Sequence, residues 1–211
     1  MTNFQKRILT SFIALPLAIF FVVKGGYFLT FFLIFIFFAG IHELFTVFKK
    51  TKSILFLFLI LILSLSSIYY LKSERSDFLL YLAIGATISS DIGGYVFGKI
   101  FKWKKLTKIS PKKTISGVFG SYFFSIICLV IFTEFYFSES KLSVSTFLLA
   151  IIFSTIAQAG DIFISYFKRL EKIKDTGKIL PGHGGIFDRI DGLMFVVILS
   201  LFLYHYHFLF T

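Results

Sequence analysis

The sequence predicts an all-α fold, a polytopic bundle of about seven transmembrane helices. Three observations predict it: hydrophobic residues make up 57% of the 211 residues, charged residues make up only 16%, and the apolar residues fall into long runs. A soluble domain is usually about half apolar and about a quarter charged. The composition therefore excludes a soluble globular enzyme and a disordered chain. A disulfide scaffold is excluded because Cys128 is the single cysteine of the sequence.

The predicted spans follow one another with short polar stretches between them. Pro16 interrupts the first span and no small-residue cleavage site follows it, so we interpret this run as a membrane span and not as a signal peptide. No repeat or linker divides the chain. We therefore predict one integral-membrane domain, 1–211, with N-terminal spans in 1–77 and the catalytic spans and loops in 78–211. The predicted spans are 8–23, 27–48, 54–71, 78–98, 117–137, 142–167 and 186–210.

The positive charges predict the orientation, because cytoplasmic loops carry an excess of Lys and Arg. The N-terminus, 49–53, 99–116 and 168–185 together hold 17 Lys and Arg, whereas the connections on the other side hold 4. This predicts a cytoplasmic N-terminus, two long cytoplasmic loops and a C-terminus outside. In so apolar a chain, the net charge of +11 indicates contact with the anionic surface of a lipid bilayer and not with nucleic acid.

Four aspartates lie inside or at the ends of the predicted spans, where a charge is costly and marks a functional site by default. Asp91 and Asp161 precede the cytoplasmic ends of the fourth and sixth spans by about two helical turns, and Asp188 and Asp191 lie in the first turns of the seventh. At about 1.5 Å rise per residue, all four lie within roughly 10 Å of one membrane face. We predict a functional site at this depth.

The four carboxylates allow three interpretations: metal ligands, a proton relay, or structural ion pairs. Asp188 and Asp191 share one helical face with no cation at the same spacing, so they repel each other unless a metal or a proton intervenes. This favours a metal site. Hard oxygen ligands indicate Mg²⁺, which proteins usually hold with one or two carboxylates together with substrate phosphates.

Both long loops carry groups that bind phosphate. The turn 110–114, which reads SPKKT, places Lys112 and Lys113 ahead of a helix N-terminus, where anions are favoured. The turn 181–185, which reads PGHGG, has backbone N–H groups that can cradle an anion. We interpret His183 first as a hydrogen-bonding turn residue and second as a phosphate contact. Carboxylates, cations and glycine turns at one membrane face predict phosphoryl or nucleotidyl transfer.

The stretch 165–191 carries a long run of residues at fixed spacing: Ser165, Lys168, Arg169, Lys174, Asp175, Gly177, Leu180, Pro181, His183, Gly184, Gly185, Asp188, Arg189 and Asp191. This run resembles the signature of the phosphatidate cytidylyltransferases, also called CDP-diacylglycerol synthases. The stretch from Asp91 through Lys99 to 110–114 is similar to a second conserved block of that family. The sequence departs from the family pattern at Ile92, where Thr is usual, and at Ser116, where an acid is common. Clear resemblance covers the chain from about Asp91 onward, and the earlier part matches only as generic spans.

The resemblance implies an enzyme that transfers CMP from CTP to phosphatidic acid, giving CDP-diacylglycerol and pyrophosphate in phospholipid biosynthesis. It implies Mg²⁺ as the cofactor, a second monovalent cation such as K⁺, a homodimer, and a bacterial inner-membrane location with the active site facing the cytoplasm. Asp161, Asp188 and Asp191 are then expected as catalytic metal ligands, beside Lys168 and Arg169. The residues expected to bind the nucleotide and phosphates are Asp91, Lys112, Lys113, Ser165, Lys174, Asp175, His183, Gly184, Gly185 and Arg189.

Two other functions stay open from the residues alone. A lipid-linked transferase similar to polyprenol or dolichol kinases would also use a nucleotide and intramembrane acids, but its site would lack the block at 183–191. A cation-coupled transporter would use the carboxylates as an ion relay. Transporters usually place their sites near the membrane midplane between inverted repeats. Here the acids lie at one face and no repeat is found, so both alternatives are favoured less.

Overall fold

The computed structural model describes residues 3–74, 76–136, 144–177, 179 and 184–206. Over these residues the chain forms seven α-helices and no strand, which confirms the all-α prediction. The helix bounds agree with the predicted spans to within a few residues, except at the start of α1 and at the end of α7, where 207–210 of the predicted span lie outside the described residues. The helices are α1 (Asn3–Lys24), α2 (Gly26–Val47), α3 (Thr51–Ser73), α4 (Asp77–Phe101), α5 (Ile115–Tyr136), α6 (Val144–Leu170) and α7 (Phe187–His205).

Five of these helices, α2 to α6, are long and apolar enough to cross a membrane. In the part of α1 whose side chains the structure describes, the apolar helix is Phe12–Lys24, and α7 carries Asp188, Arg189 and Asp191 among its 19 residues. A transmembrane helix needs about 20 predominantly apolar residues. The described helices therefore make this an integral membrane protein. The count of seven spans is supported for five and stays a prediction for α1 and α7.

Large apolar side chains cover the outside of the bundle. Tyr27 is 96% exposed, Phe31 68% and Phe135 89%. A water-soluble protein rarely exposes contiguous apolar patches larger than a few hundred Å². These outer faces suit contact with lipid chains.

The connections between helices collect at two ends of the bundle, as the charge counts predict. At one end, the backbone N–H of Lys50 donates to Glu171 Oε1 at 3.0 Å and joins the α2–α3 connection to the stretch after α6. At the other end, Gly25, between α1 and α2, lies against Lys72 near the end of α3, since a Cβ on Gly25 would be 2.8 Å from Lys72 Cε. Lys72 Nζ also pairs at 2.9 Å with Oδ1 of Asp77, the first residue of α4. The end that faces the cytoplasm stays a prediction.

Two apolar clusters fill the interior. The first joins α4, α6 and α7 through Leu80, Phe153 and Val196, all completely buried. The second surrounds Phe187, the first residue of α7, which is also completely buried and lies against α2 and α3. Because Phe187 is anchored in this cluster, the first turn of α7 and the aspartates on it are held in place relative to α2 and α3.

Helices α4 and α5 make the closest contact in the bundle. A Cβ on Gly93 or on Gly120 would collide with the carbonyl oxygen of the other residue, and a Cβ on Gly117 would lie 2.8 Å from Gly94 O. Small residues let helix backbones approach closely in membranes. The approach brings the start of α5 against the end of α4, where the predicted acids and lysines lie.

Candidate active site

A cavity of about 270 Å³ opens between α4, α5 and α6 at the end of the bundle that carries the lysine-rich 102–114 loop. We call it the phosphate cavity, after the phosphate contacts that the sequence predicts for Lys112 and Lys113. It is lined by two of the predicted acids, Asp91 of α4 and Asp161 of α6, and by two of the predicted cations, Lys112 and Lys113. Further polar groups in its wall are Ser90, Ser110, Thr114, Ser121 and Gln158.

The 102–114 loop is a hairpin, and this shape places its lysines over the cavity. Lys104 and Leu106 pair with 113–115 through two backbone hydrogen bonds of 3.0 and 2.8 Å. Lys113 Nζ then reaches Asp161 Oδ2 at 2.7 Å, in a pair whose side chains are 20% and 29% exposed. The hairpin is therefore tied to α6 by the same two charged groups that line the cavity.

Asp161 lies near enough to both Asp91 and Asp191 for their charges to interact. Its Oδ1 accepts a long hydrogen bond of 3.4 Å from Ser165 Oγ, and Asp191 Oδ1 accepts from the N–H of Gly192 at 2.9 Å. Three neighbouring carboxylates repel one another, so this group favours a cation. The structure thus brings together three of the four aspartates that the sequence predicts as one site.

Asp188 has a different environment, because both of its oxygens already accept hydrogen bonds from the protein. Lys168 Nζ donates to Oδ1 at 2.8 Å in an ion pair whose side chains are 9% and 6% exposed. Oδ2 accepts from the N–H of Thr176 at 2.7 Å and from the N–H of Gly185 at 3.0 Å, and Thr176 Oγ1, whose one proton is shared with Glu43, lies 3.1 Å away. These contacts hold Thr176 and Gly185, from the connection between α6 and α7, against the first turn of α7.

Glu43, on α2, is a site residue that the sequence reasoning missed. It is 1% exposed, and its carboxylate accepts from the N–H groups of Ile186 and Phe187 at 2.6 and 3.1 Å and from Thr176 Oγ1 at 3.1 Å. The signal that identifies the four aspartates would also have identified it, because Glu43 is an acid within an apolar span. We call Glu43, Thr176 and Asp188, with the donors they bind, the loop clamp.

The glycine turn after residue 183 holds anions, and in the structure those anions are side chains of the protein itself. The N–H of Gly185 binds Asp188, and the next two N–H groups bind Glu43. Gly184 has a φ of +88°, which favours glycine, and a Cβ there would lie 2.6 Å from Asp188 Oδ2. Phosphate contact by Gly184 and Gly185 stays a prediction.

The remaining predicted residues lie near these two groups. Arg169 is exposed, and its Nη1 donates to the carbonyl of Ile173 at 2.7 Å, so it ties the stretch after α6 to the last turn of that helix. Lys174 and Asp175 are exposed in the loop that follows. Arg189 is exposed and close enough to Asp91 for their charges to interact. His183 lies outside the described residues.

The donor set suits a magnesium ion that is held partly by substrate. Among the described residues, no three Asp, Glu, His or Cys side chains converge closely enough to form a complete metal site. Mg²⁺ usually needs only one or two carboxylates, with phosphates and water as the other ligands. Asp161 with Asp91 or Asp191 can supply that number, whereas Asp188 would first have to give up its contacts in the loop clamp.

Comparison with known proteins identifies the family. Residues 46–208 match the cytidylyltransferase family. A protein of Rickettsia typhi named phosphatidate cytidylyltransferase is 34% identical in an alignment of 206 positions that takes in 91% of this chain and 88% of that protein. A Staphylococcus aureus protein of the same name is 42% identical over 131 residues, which cover 61% of this chain and 49% of that protein.

The comparisons confirm the family predicted from the signature residues. They also extend the resemblance toward the N-terminus, since the match to the Rickettsia protein takes in most of the chain and not only the part from Asp91 onward. The phosphate cavity and the loop clamp both involve residues within 46–208, with Glu43 just before that range. The protein described here is a member of the cytidylyltransferase family.

Proposed function

We propose that this membrane protein transfers CMP from CTP to phosphatidic acid, forming CDP-diacylglycerol and releasing pyrophosphate. The observation that carries the proposal is the phosphate cavity, which sets Lys112 and Lys113 beside Asp91 and Asp161 at one end of the bundle. The names of the relatives from Rickettsia typhi and Staphylococcus aureus support the same reaction.

The reaction needs positioning and charge neutralisation more than it needs a strong base. A phosphate monoester has a second pKa of about 6, so the attacking oxygen of phosphatidic acid is already anionic at neutral pH. That oxygen bonds to the α-phosphorus of CTP while the bond from this phosphorus to the pyrophosphate oxygen breaks. Groups that hold phosphates and offset their charge are the main source of rate enhancement in such transfers.

In this proposal, Lys112 and Lys113 hold the phosphates of CTP. Lys112 is exposed at the cavity, and Lys113 can exchange its contact with Asp161 for a phosphate oxygen, because the pair is only partly buried. Lys174 and Asp175, exposed in the loop after α6, are the candidates for contacts to the rest of the nucleotide.

Asp161 would hold Mg²⁺ together with Asp191 or Asp91 and with the phosphates of the substrates. When bound, the ion would neutralise phosphate charge as the leaving group departs. We assign Asp188 and Lys168 to holding the loop, because their charged groups already bind each other in a buried pair. A second monovalent cation such as K⁺ and a homodimer stay predictions.

We place the site at the cytoplasmic face of the bacterial inner membrane. The support is the bias of 17 Lys and Arg to 4, together with the bacterial origin of the relatives. The acyl chains of phosphatidic acid would enter sideways between the exposed apolar faces of the helices. Its phosphate would then reach the cavity from the membrane boundary.

The direct test is pyrophosphate release by the purified protein in detergent. We expect release that requires CTP, phosphatidic acid and Mg²⁺ together. Pyrophosphate release that does not depend on phosphatidic acid would contradict the proposal. Transfer to diacylglycerol or to a polyprenol, with phosphatidic acid inert, would replace the proposed acceptor by an alcohol.

A further inference from the structure

We infer that Glu43 is a positioning residue for this reaction: from α2, outside the phosphate cavity, its carboxylate sets the start of α7 and thereby the aspartates that α7 carries. The inference rests on the proposed function for its activity readout. Glu43 does not line the cavity and so acts through other residues.

The first step is the geometry at the start of α7. The first N–H groups of a helix have no partner within the helix and are usually satisfied by a side chain just before it. The residue that precedes α7 is Ile186, which makes no side-chain cap. Glu43 replaces that cap from another helix, because Oε1 accepts from the N–H of Ile186 at 2.6 Å and Oε2 from that of Phe187 at 3.1 Å.

The second step is the burial of a charge without a matching cation. None of the three ion pairs found between described residues includes Glu43, although the residue is 1% exposed. A buried carboxylate is costly unless hydrogen bonds replace its lost water. Two backbone donors, the Thr176 hydroxyl and the positive end of the α7 dipole provide that replacement.

The third step is the shape of the loop around Glu43. A Cβ on Gly177 would lie 2.8 Å from Glu43 Oε1, and a Cβ on Gly185 would lie 2.5 Å from both carboxylate oxygens. Both glycines belong to the signature run of the loop. Neither has a positive φ. The space that they leave is therefore the space that the Glu43 carboxylate occupies.

The fourth step connects Glu43 to the site. Thr176 Oγ1 lies 3.1 Å from Glu43 Oε2 and 3.1 Å from Asp188 Oδ2, so the two carboxylates share the one proton of this hydroxyl. Asp191 follows Asp188 by one turn on α7 and is close enough to Asp161 for their charges to interact. A shift in the start of α7 thus moves Asp191 relative to the phosphate cavity.

The test is the variant Glu43→Gln, which keeps the size of the side chain. An amide has one acceptor oxygen and would turn its NH₂ group toward the second backbone N–H. We expect kcat per folded molecule to fall about 10- to 100-fold, as a misplacement of about 1 Å does, with little change in KM for CTP. Hydrogen exchange should speed up in 184–190 and remain unchanged in the 102–114 hairpin.

The matched control is Glu171→Gln, the same chemical change in a residue whose single contact, from the N–H of Lys50, an amide oxygen can also accept. It should retain wild-type turnover. Gly177→Ala is the second variant and leaves the charge of Glu43 intact. The methyl group added by Gly177→Ala displaces the Glu43 carboxylate, so we expect this variant to lower kcat in the same way. It replaces Glu43→Gln as the test if Glu43→Gln does not fold.

The outcomes separate the inference from the proposed function. Loss of kcat with faster exchange in 184–190 supports it. Wild-type kcat in folded Glu43→Gln or Gly177→Ala overturns it, as does a loss explained entirely by a smaller folded fraction. If the wild-type protein releases no pyrophosphate, the proposed function fails. The inference about Glu43 is then tested only by hydrogen exchange in 184–190 of Glu43→Gln, where faster exchange supports it and unchanged exchange overturns it.

Discussion

The phosphate cavity and the loop clamp contain the same kinds of charged residue in opposite states. In the cavity, Asp161 and Lys113 form a partly exposed pair next to open space, and Asp91 is exposed. In the loop clamp, Asp188 and Lys168 form a buried pair, and the carboxylate of Glu43 is fully enclosed by backbone and side-chain donors. Charges of the first kind can exchange partners with a substrate, whereas charges of the second kind hold the chain in place.

This difference shows that one signature motif can contain residues with two different functions, which the residue types alone do not distinguish. Lys168, Asp188 and Asp191 lie in one run of the sequence, and the structure places the first two in the clamp and the third near the cavity acids. Substitutions in the two regions should therefore fail differently. Cavity variants should lose activity while they stay folded, whereas variants that break the buried Lys168–Asp188 pair should lose stability first.

The largest effect is expected from Asp161→Asn, which removes a carboxylate from the cavity. We expect turnover to fall by about a thousandfold, in the range seen when a charge-stabilising group of a phosphoryl-transfer site is lost. The temperature of unfolding should change little, because Asp161 is only partly buried. Pyrophosphate release and thermal unfolding in detergent measure the two. Asp77→Asn, at the other end of the bundle, is the control and should remain active.

Lys168→Met tests the clamp. It leaves Asp188 buried without its cation, which typically destabilises a protein by about 3–5 kcal/mol. Denaturant unfolding in mixed micelles measures the loss. The control is Lys72→Met, since the Lys72–Asp77 pair is more exposed, at 14% and 32% against 9% and 6%, and should matter less. Equal destabilisation by the two variants would contradict the distinction between buried and exposed pairs.

Gly184→Ala sharpens the account of the clamp on a smaller scale. A side chain at a φ of +88° is strained, and the new Cβ would lie 2.6 Å from Asp188 Oδ2. We expect a loss of about 1–3 kcal/mol in the free energy of unfolding. Gly26→Ala is the control, because Gly26 also has a positive φ, +53°, but has no atom within 4 Å of the added Cβ. A loss of stability no larger at Gly184 than at Gly26 would mean that the Asp188 side chain can move away from the added methyl group at little cost in free energy.

The smallest effect is expected from Lys112→Gln. Lys112 is exposed at the cavity, so the variant should fold normally and bind CTP about tenfold more weakly, the loss of one charge-assisted hydrogen bond. Its KM for CTP measures this. Lys104→Gln, in the same hairpin but outside the cavity lining, should leave KM unchanged. If both variants raise KM equally, the hairpin acts through its overall charge and not through one contact.

The fold could be predicted from the sequence because hydrophobic runs in a membrane protein correspond directly to helices. The end of the bundle where the cavity lies could also be predicted, since the lysine counts and the acids within the predicted spans both indicate it. The different roles of the individual aspartates could not be predicted from the sequence. Asp188 and Asp191 are equivalent by spacing, and only the contacts from Lys168, Thr176 and Gly185 distinguish them.

Glu43 shows why the rest was missed. Its partners, Thr176 and the N–H groups that begin α7, are more than 130 residues away along the chain. No local pattern around Glu43 indicates them, and the signature glycines suggested a cradle for phosphate. The anions at that turn are Asp188 of α7 and Glu43 of α2, and the second becomes evident only when the helices are packed.

The most direct test of the central claim, that the phosphate cavity binds the substrate phosphates, is the rise in unfolding temperature that CTP with Mg²⁺ produces in detergent. A ligand that binds only the folded state raises its stability in proportion to the logarithm of ligand concentration over Kd. We predict a clear rise for the wild-type protein and for Lys104→Gln, and none for the double variant Lys112→Gln and Lys113→Gln. An equal rise in the double variant would contradict the claim, because CTP would then be bound elsewhere.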